Sequence, residues 1–322
     1  MKLIIVSDTL PNQVNGVTTT LRYTLKEIKD LDVEVLYPKH VFPCPFYSEV
    51  SLAYRFTEYD KLDTADYIHI LTEGPLGFFV RNYCIKNNLK FTTSYLTKFP
   101  ENIKKIAGIP ESISFYLFRK FHEQSSAIMV VSETMKQYLI DKKFNNNIKI
   151  WGKGIDTKLF KPQKKTKDIN LLYVGRLSKE KSIEEFLDID LPYKKIVVGD
   201  GPIRSSLELK YPNVEFVGYL HGKELASAYA QADVFVFPSK SETFGLVMLE
   251  ALACGTPVAA YPVCGPIDII NNKVGCLNNN LKFAVEEALK CDRKECRKLA
   301  LEHSWKEATN KFINNLIRSK DE

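Results

Sequence analysis

The sequence predicts an α/β protein built from two doubly wound, Rossmann-like domains facing across a cleft. Three observations carry this. Short apolar, β-branched runs alternate with amphipathic segments along the chain, a pattern of β-α-β units and parallel sheets. The runs are continuously apolar, as suits strands buried on both faces. The series stops and restarts after the lysine-rich stretch KLFKPQKKTKDIN, residues 158–170, whose composition marks a linker.

The first series is KLIIVSD (2–8), VEVLYP (33–38), YIHILT (67–72), KFTTSYL (90–96), AIMVVS (127–132) and NIKIWG (147–152). Strand one ends at Asp8, and the loop TLPNQVNGV leads to a helix opened by threonines. The second series is INLLYVG (169–175), KKIVVGD (194–200), VEFVGY (214–219), VFVFPS (234–239) and PVAAYP (257–262). Helical patterns lie between most of these runs, and the asparagine runs at 145–147 and 278–280 read as turns. The tail HSWKEATNKFINNLIRSKDE (303–322) reads as a last helix. The expected domains are therefore 1–163 and 164–302, with the helix at 303–322.

The 322 residues suit two domains, and 45% hydrophobic with 26% charged residues suits a globular core. No run approaches 18 apolar residues, and LIIV after Met1-Lys2 is too short for a signal peptide. The seven cysteines are scattered singly, without a C-x-x-C pair. That argues for a reducing cytoplasm and against a zinc site. The net charge of +6 is uneven. Residues 1–165 hold 24 Lys/Arg against 17 Asp/Glu, a balance of +7, and residues 166–322 hold 21 against 22, a balance of −1. A phosphate or an anionic membrane suits the first half, as does an ordinary solvated lysine surface. No nucleic-acid-binding pattern is present, so nucleic acid is not an expected partner.

The stretch SETFGLVMLEALACGTP (241–257) carries the sharpest chemistry. It follows VFVFPS and opens a helix near Phe244 or Gly245. A helix N-terminus offers unpaired N–H groups and a positive dipole end, a natural seat for phosphate. Gly245 lets a ligand approach the backbone. Glu242 precedes the helix, and Glu250, eight positions on, lies within it and can accept both hydroxyls of a cis-diol such as ribose. The same spacing also suits an N-capping Ser/Glu pair followed by an ordinary surface glutamate. VGRLSKEKS (174–182) sets Arg176 after a strand and Lys181 five residues on, two cations suited to a diphosphate. VGDGP (198–202) is a sharp turn after a strand, and FVGYL (216–220) offers loop backbone to a base. In the first loop, Gly16 allows close approach to a phosphate. That loop is not G-x-G-x-x-G, which argues against a Rossmann dehydrogenase.

On these residues, together with TEGPLGFFVRNYC (72–84), TTSYLTKFPE (92–101) and WGKGIDTKLFKP (151–162), the chain resembles the retaining glycosyltransferases of family four. These have the two-domain glycosyltransferase-B (GT-B) fold and include glycolipid synthases and lipid mannosyltransferases. The resemblance implies that residues 1–163 bind the acceptor, that 164–302 bind a nucleotide sugar, and that the last helix packs back on the first domain. It implies that Glu242 contacts sugar hydroxyls and that the Phe244 and Gly245 amides approach sugar and diphosphate. Glu250 would hold the ribose, Arg176 and Lys181 would stabilise the leaving diphosphate, Gly16 would border the phosphates, and the Leu220 backbone would meet the base. No metal and no cofactor are implied, the nucleotide sugar being a substrate. UDP-glucose is the preferred donor type and GDP-mannose the alternative.

One departure stands out. Relatives carry histidine where this chain has Leu96, and leucine cannot donate a hydrogen bond or move a proton. His69, Lys98 and Glu73 are candidate substitutes, and His69 also reads as a satisfied core histidine. PKHVFPCPFYSEV (38–50) and ISFYLFRKFHE (113–123) mix aromatic and basic residues. The latter reads as a helix with Ile113, Leu117 and Phe121 aligned, either facing a membrane or facing a core. The expected activity is hexose transfer to a lipid acceptor, such as diacylglycerol, at the inner face of the membrane. A soluble saccharide acceptor, a weakly active sugar-nucleotide-binding subunit and a sugar-nucleotide epimerase stand as alternatives. Oligomeric state is open.

Overall fold

The computed structural model describes residues 1–13, 15–43, 51–165, 169–240 and 243–320. The chain divides into two units, Met1–Lys153 with Trp305–Glu322, and Gly154–Ser304.

The strands of the first unit are β1 (Lys2–Val6), β2 (Asp32–Leu36), β3 (His40–Pro43), β4 (Ser51–Arg55), β5 (Tyr67–Ile70), β6 (Thr92–Ser94), β7 (Ala127–Val130) and β8 (Ile148–Ile150). Six form a parallel sheet in the order β2-β1-β5-β6-β7-β8. Its central strands are buried on both faces: Leu3 to Val6, and Ala127 to Val130, are at most 1% exposed. That explains their unbroken apolar composition. The chain leaves β1 toward β2 on one side and continues from β5 on the other, so the strand order switches between β1 and β5. β3 and β4 form a separate antiparallel pair. The prolines and aromatics of 38–50 do not suggest strands, and residues 44–50 lie outside the described residues.

The last helix, Trp305–Asn315, belongs to this first unit. Trp305 stacks on Tyr23 at 4.9 Å, and Phe312 packs against Trp151 at 4.5 Å and His69 at 5.0 Å. Asn315 Nδ2 donates to Ile150 O at 2.9 Å, and Ser319 N to Asp66 O at 2.8 Å.

The second unit holds β9 (Asn170–Val174), β10 (Lys194–Val198), β11 (Glu215–Gly218), β12 (Val234–Phe237), β13 (Val258–Ala260) and β14 (Gly275–Leu277). All are parallel, in the order β11-β10-β9-β12-β13-β14, with the switch between β9 and β12. β14 falls outside the expected series because Gly275, Cys276 and Leu277 form no β-branched run.

The units divide at Lys153/Gly154, before the lysine-rich stretch and not at 163/164. Hydrogen bonds supply the reason. Arg297 donates to Phe160 O at 2.7 Å and to Thr157 O at 2.9 Å, and Ile155 N donates to His303 O at 3.1 Å. Phe160 itself is buried, and Lys165 pairs with Asp233. The polar composition of 158–165 thus conceals a segment bound to the second unit; Thr166, Lys167 and Asp168 lie outside the described residues.

Candidate active site

In an open parallel sheet, ligands bind beyond the carboxyl ends of the strands, where the strand order switches. In the second unit that place lies between the loops after β9 and β12.

The loop after β9 carries Gly175 and Arg176, and it lies against the loop after β10. Gly175 N donates to Val198 O at 3.0 Å and Leu177 N to Asp200 O at 2.9 Å. The backbones approach so closely that a Cβ on Gly199 would sit 2.0 Å from Gly175 O, and one on Gly201 would sit 2.2 Å from Leu177 O. No residue but glycine fits there. The turn VGDGP is therefore the support of the Arg176 loop. Asp200 fixes it further, accepting from Gly201 N at 2.7 Å and from Arg204 Nη1 at 2.9 Å. Arg176 is half-buried; Lys181 closes the 3-10 turn Lys179–Lys181 and is half-buried too. The loop after β11 joins the same edge, since Gly199 N donates to Gly218 O at 2.8 Å. It leads to Leu220, which is half-buried.

On the other side of the switch point, the loop after β12 leads to the helix Leu246–Ala253. Gly245 caps it in the left-handed conformation (φ 82°) and, being glycine, supplies no side-chain cap. Met248 N donates to Gly245 O at 3.0 Å, and the N–H groups of Leu246 and Val247 precede the helical ladder. Phe244 is buried, and its carbonyl would lie 3.0 Å from a Cβ on Gly265, so the loop after β13 backs this turn. Lys240 Nζ donates to Glu185 Oε1 at 2.7 Å, and the Tyr261 hydroxyl donates to Glu185 Oε2. This trio ties the loop after β12 to the helix Ile183–Leu187, which begins two residues after Lys181. Glu242 and Ser241 lie outside the described residues.

Glu250 projects from the helix Leu246–Ala253 and is half-buried. Its Oε2 accepts a 2.8 Å hydrogen bond from Tyr229, a fully buried residue that the sequence does not single out. Burial pushes the Glu250 carboxyl up to about 7, and the Tyr229 bond opposes the rise. The second unit thus brings Arg176, Lys181, Leu220, Phe244 and Gly245 to the carboxyl edge of one sheet, with Glu250 on the helix that rises from it.

Gly16 belongs to the first unit, where it begins the helix Gly16–Glu27. Asn15 Oδ1 accepts from Val17 N and Thr18 N, both at 3.0 Å, and Thr18 Oγ1 accepts from Asn15 N at 3.3 Å, a capping box. A Cβ on Gly16 would meet nothing within 4 Å, so no crowding demands glycine.

The three candidate substitutes for an imidazole at Leu96 fare differently. His69 is fully buried, and its two ring nitrogens bond Thr92 Oγ1 at 2.9 Å and Ser94 Oγ at 2.8 Å. Desolvation lowers its pKa to about 3. It is a neutral core residue. Lys98 lies over the Tyr138 ring at 4.7 Å. Glu73 points into the unit, with its side chain 4% exposed and Oε1 3.5 Å from Nε2 of the buried His122. At the unit's own switch point, Asp8 is buried. It accepts from Thr72 Oγ1 at 2.9 Å and from Leu76 N at 2.7 Å.

The helix Glu111–His122 corrects one alignment. Ile113, Tyr116 and Leu117 are more than half exposed, whereas Phe121 is 1% exposed. At 3.6 residues per turn, eight residues carry Phe121 about 80° around from Ile113, onto the core face.

Comparison with known proteins gives a consistent picture. Residues 14–159 match the family model described as Glycosyltransferase Family 4, and residues 154–300 the model described as Glycosyl transferases group 1. The chain is 30% identical over 313 residues to the sulfoquinovosyl transferase of Arabidopsis thaliana, covering 85% of this chain and 61% of that protein. It is 29% identical over 219 residues to a GDP-mannose-dependent alpha-mannosyltransferase of Mycobacterium tuberculosis, covering 64% of this chain and 57% of that one. It is 28% identical over 347 residues to the alpha-monoglucosyldiacylglycerol synthase of Streptococcus pneumoniae, covering 90% and 78%. The chain thus spans about three fifths of the length of the first two. Among solved structures, sucrose-phosphate synthase from Thermosynechococcus elongatus superposes with a TM-score of 0.79 at 20% identity, over 97% of both chains. Anabaena HepE, solved with UDP and glucose, superposes with a TM-score of 0.70 at 15% identity, over 98% of both.

Proposed function

Since this chain belongs to the glycosyltransferases, with a family 4 domain followed by a group 1 domain on the GT-B fold, we propose that it moves a hexose from a nucleoside diphosphate sugar to the hydroxyl of a lipid acceptor, with retention at the anomeric carbon. The observation that carries this reading is the carboxyl edge of the second unit's sheet. There a loop bearing Arg176 is held against VGDGP, and the helix start at Gly245 stands across the switch point.

The roles follow from the chemistry of each group. The Gly245 amides and helix dipole take the diphosphate. Arg176 and Lys181 stabilise the charge that builds on it as the bond to the sugar breaks. Glu250 accepts from the ribose, Leu220 backbone borders the base, and Glu242 holds sugar hydroxyls. The acceptor oxygen bonds to the anomeric carbon, the carbon–oxygen bond to the diphosphate breaks, and the acceptor proton passes to the departing diphosphate. No imidazole at position 96 is needed on this route.

A UDP-hexose donor is favoured by the UDP and glucose bound in the Anabaena structure; the GDP-mannose-dependent relative supports the alternative donor. The names of the sulfoquinovosyl transferase and the diacylglycerol glycolipid synthase favour a lipid acceptor. The exposed Ile109, Ile113, Tyr116 and Leu117, together with the +7 balance of residues 1–165, favour contact with an anionic membrane surface. Among the described residues no helix is long and apolar enough to cross a membrane. The test is a mass-detected transfer assay with UDP-glucose or GDP-mannose and lipid extract. A glycolipid product supports the reading. Donor binding with neither transfer nor hydrolysis turns it into a sugar-nucleotide-binding subunit, the reading that Leu96 favours.

A further inference from the structure

Given the donor reading above, we propose that Tyr229 is a positioning residue that sets the enzyme's preference for a ribonucleotide, by holding one oxygen of Glu250 so that the other meets the ribose diol.

The geometry begins with the carboxylate. A glutamate side chain has a broad terminal torsion, so a lone carboxylate presents its two oxygens in many orientations. Here Oε2 is taken by the Tyr229 hydroxyl at 2.8 Å. The Glu250 side chain makes no other hydrogen bond or ion pair among the described residues. Oε1 therefore keeps its capacity as an acceptor.

The phenol is fixed in turn. Tyr229 is 0% exposed, on the helix Gly222–Gln231. Its ring meets Phe160 edge-on at 6.0 Å and Phe235 edge-on at 5.6 Å. Its carbonyl accepts from Thr256 Oγ1 at 2.6 Å. Arg293 locks the same turn, donating to Ala230 O at 2.9 Å, to Ala232 O at 2.7 Å and to Thr256 Oγ1 at 3.2 Å. A buried phenol held on its flanks and along its backbone cannot follow a moving carboxylate. Glu250 must instead come to it, and the orientation of Oε1 is set before any ligand arrives. Preorganisation of this kind strengthens the one hydrogen bond that distinguishes a ribose from a deoxyribose.

The titratable groups facing Glu250 are Tyr229 from the helix Gly222–Gln231 and Cys254 at the end of its own helix; Arg293 and Arg297 act on Cys254. Cys254 is pushed up to about 12 by burial and stays a neutral thiol. The Tyr229 bond is the interaction that holds the Glu250 pKa down. Removing it raises the pH at which the carboxylate is lost.

The experiment is calorimetric titration of the full chain and of Tyr229→Phe with UDP and with 2′-deoxy-UDP, at pH values from 6 to 9. If the wild type does not bind UDP, GDP and 2′-deoxy-GDP take their place. The wild type is expected to prefer the ribonucleotide at least tenfold at pH 8. Tyr229→Phe is expected to shrink that preference to threefold or less while binding the deoxy ligand as before. The pH midpoint of ribonucleotide binding should move upward in the variant. An unchanged preference, an equal loss for both ligands, or an unmoved midpoint overturns the proposal and leaves the donor reading standing. Failure of the wild type to bind either ribonucleotide overturns both.

Discussion

Nε2 of His122 lies 3.5 Å from Oε1 of Glu73, and neither side chain is more than 4% exposed. Neither atom has a hydrogen-bond partner among the described residues. His122 Nδ1 is held by Thr93 Oγ1 at 2.8 Å. Burial raises the Glu73 pKa from its usual 4.5, and His122 opposes the rise. A carboxyl raised in the folded state contributes stability below pH 4.5 that is lost as pH climbs through its folded pKa. His122→Leu removes the opposing group. It should cost more at pH 8 than at pH 5, because protonation of Glu73 relieves its buried charge as the pH falls. Urea unfolding at both pH values checks this; an equal cost at both contradicts it.

Asp8 makes a parallel case at the switch point of the first unit. Burial raises its pKa from 3.8 to about 6, against the bonds from Leu76, Thr72 and Gly77. The folded state binds its proton more tightly, so its contribution is complete below pH 3.8 and lost as pH rises through about 6. Asp8→Asn does not titrate. Its stability relative to the wild type should therefore rise by about 2.4 kcal/mol between pH 4 and pH 7. A constant difference across that window would contradict the assignment. Gly74→Ala is a companion variant. Its new Cβ would sit 2.4 Å from the Asp8 carboxyl carbon, and overpacking of this kind costs about 1–3 kcal/mol.

Arg176→Ala and Lys181→Ala each remove a cation assigned to the leaving diphosphate. Each should lower kcat about 100- to 1,000-fold, with the unfolding midpoint little changed. A loss below threefold in both would detach these cations from the chemistry.

His69→Asn should lower the melting temperature and leave the transfer rate of the folded protein within a few-fold. Its wild-type ring is buried, neutral and bonded at both nitrogens. A loss of rate beyond tenfold at full folding would make His69 more than a core residue.

Sedimentation with vesicles containing anionic lipid tests the exposed face of the helix Glu111–His122. The protein should co-sediment at low salt and release at high salt, and Ile113→Ser with Leu117→Ser should weaken the association at least fivefold. Equal sedimentation with neutral and anionic vesicles would dissociate the basic first unit from membrane binding.

The buried, hydrogen-bonded Thr92, Thr93 and Ser94 of β6 aside, the strands are legible because burial on both faces makes them continuously apolar. VFVFPS shows it, since Val234 to Phe237 are all buried. β14 is not legible because Gly275, Cys276 and Leu277 form no β-branched run, and the β3–β4 pair because its sequence carries prolines and aromatics. Phe121 falls on a different face from Ile113 because a four-residue step drifts around a helix. The loop residues of the candidate site are legible as glycines and cations at strand ends. Tyr229 is not, because its bond to Glu250 joins helices 21 positions apart. The partnership of Lys240, Glu185 and Tyr261 likewise exists only once two loops and a helix meet.

The central claim is that a nucleotide sugar's diphosphate rests on the carboxyl edge of the second unit's sheet. A crystal structure of the complex with UDP-glucose tests it most directly. The account predicts diphosphate oxygens within about 3 Å of the Arg176 guanidinium, the Lys181 ammonium and the amides at Gly245. A diphosphate bound away from that edge, with these groups turned elsewhere, would contradict it.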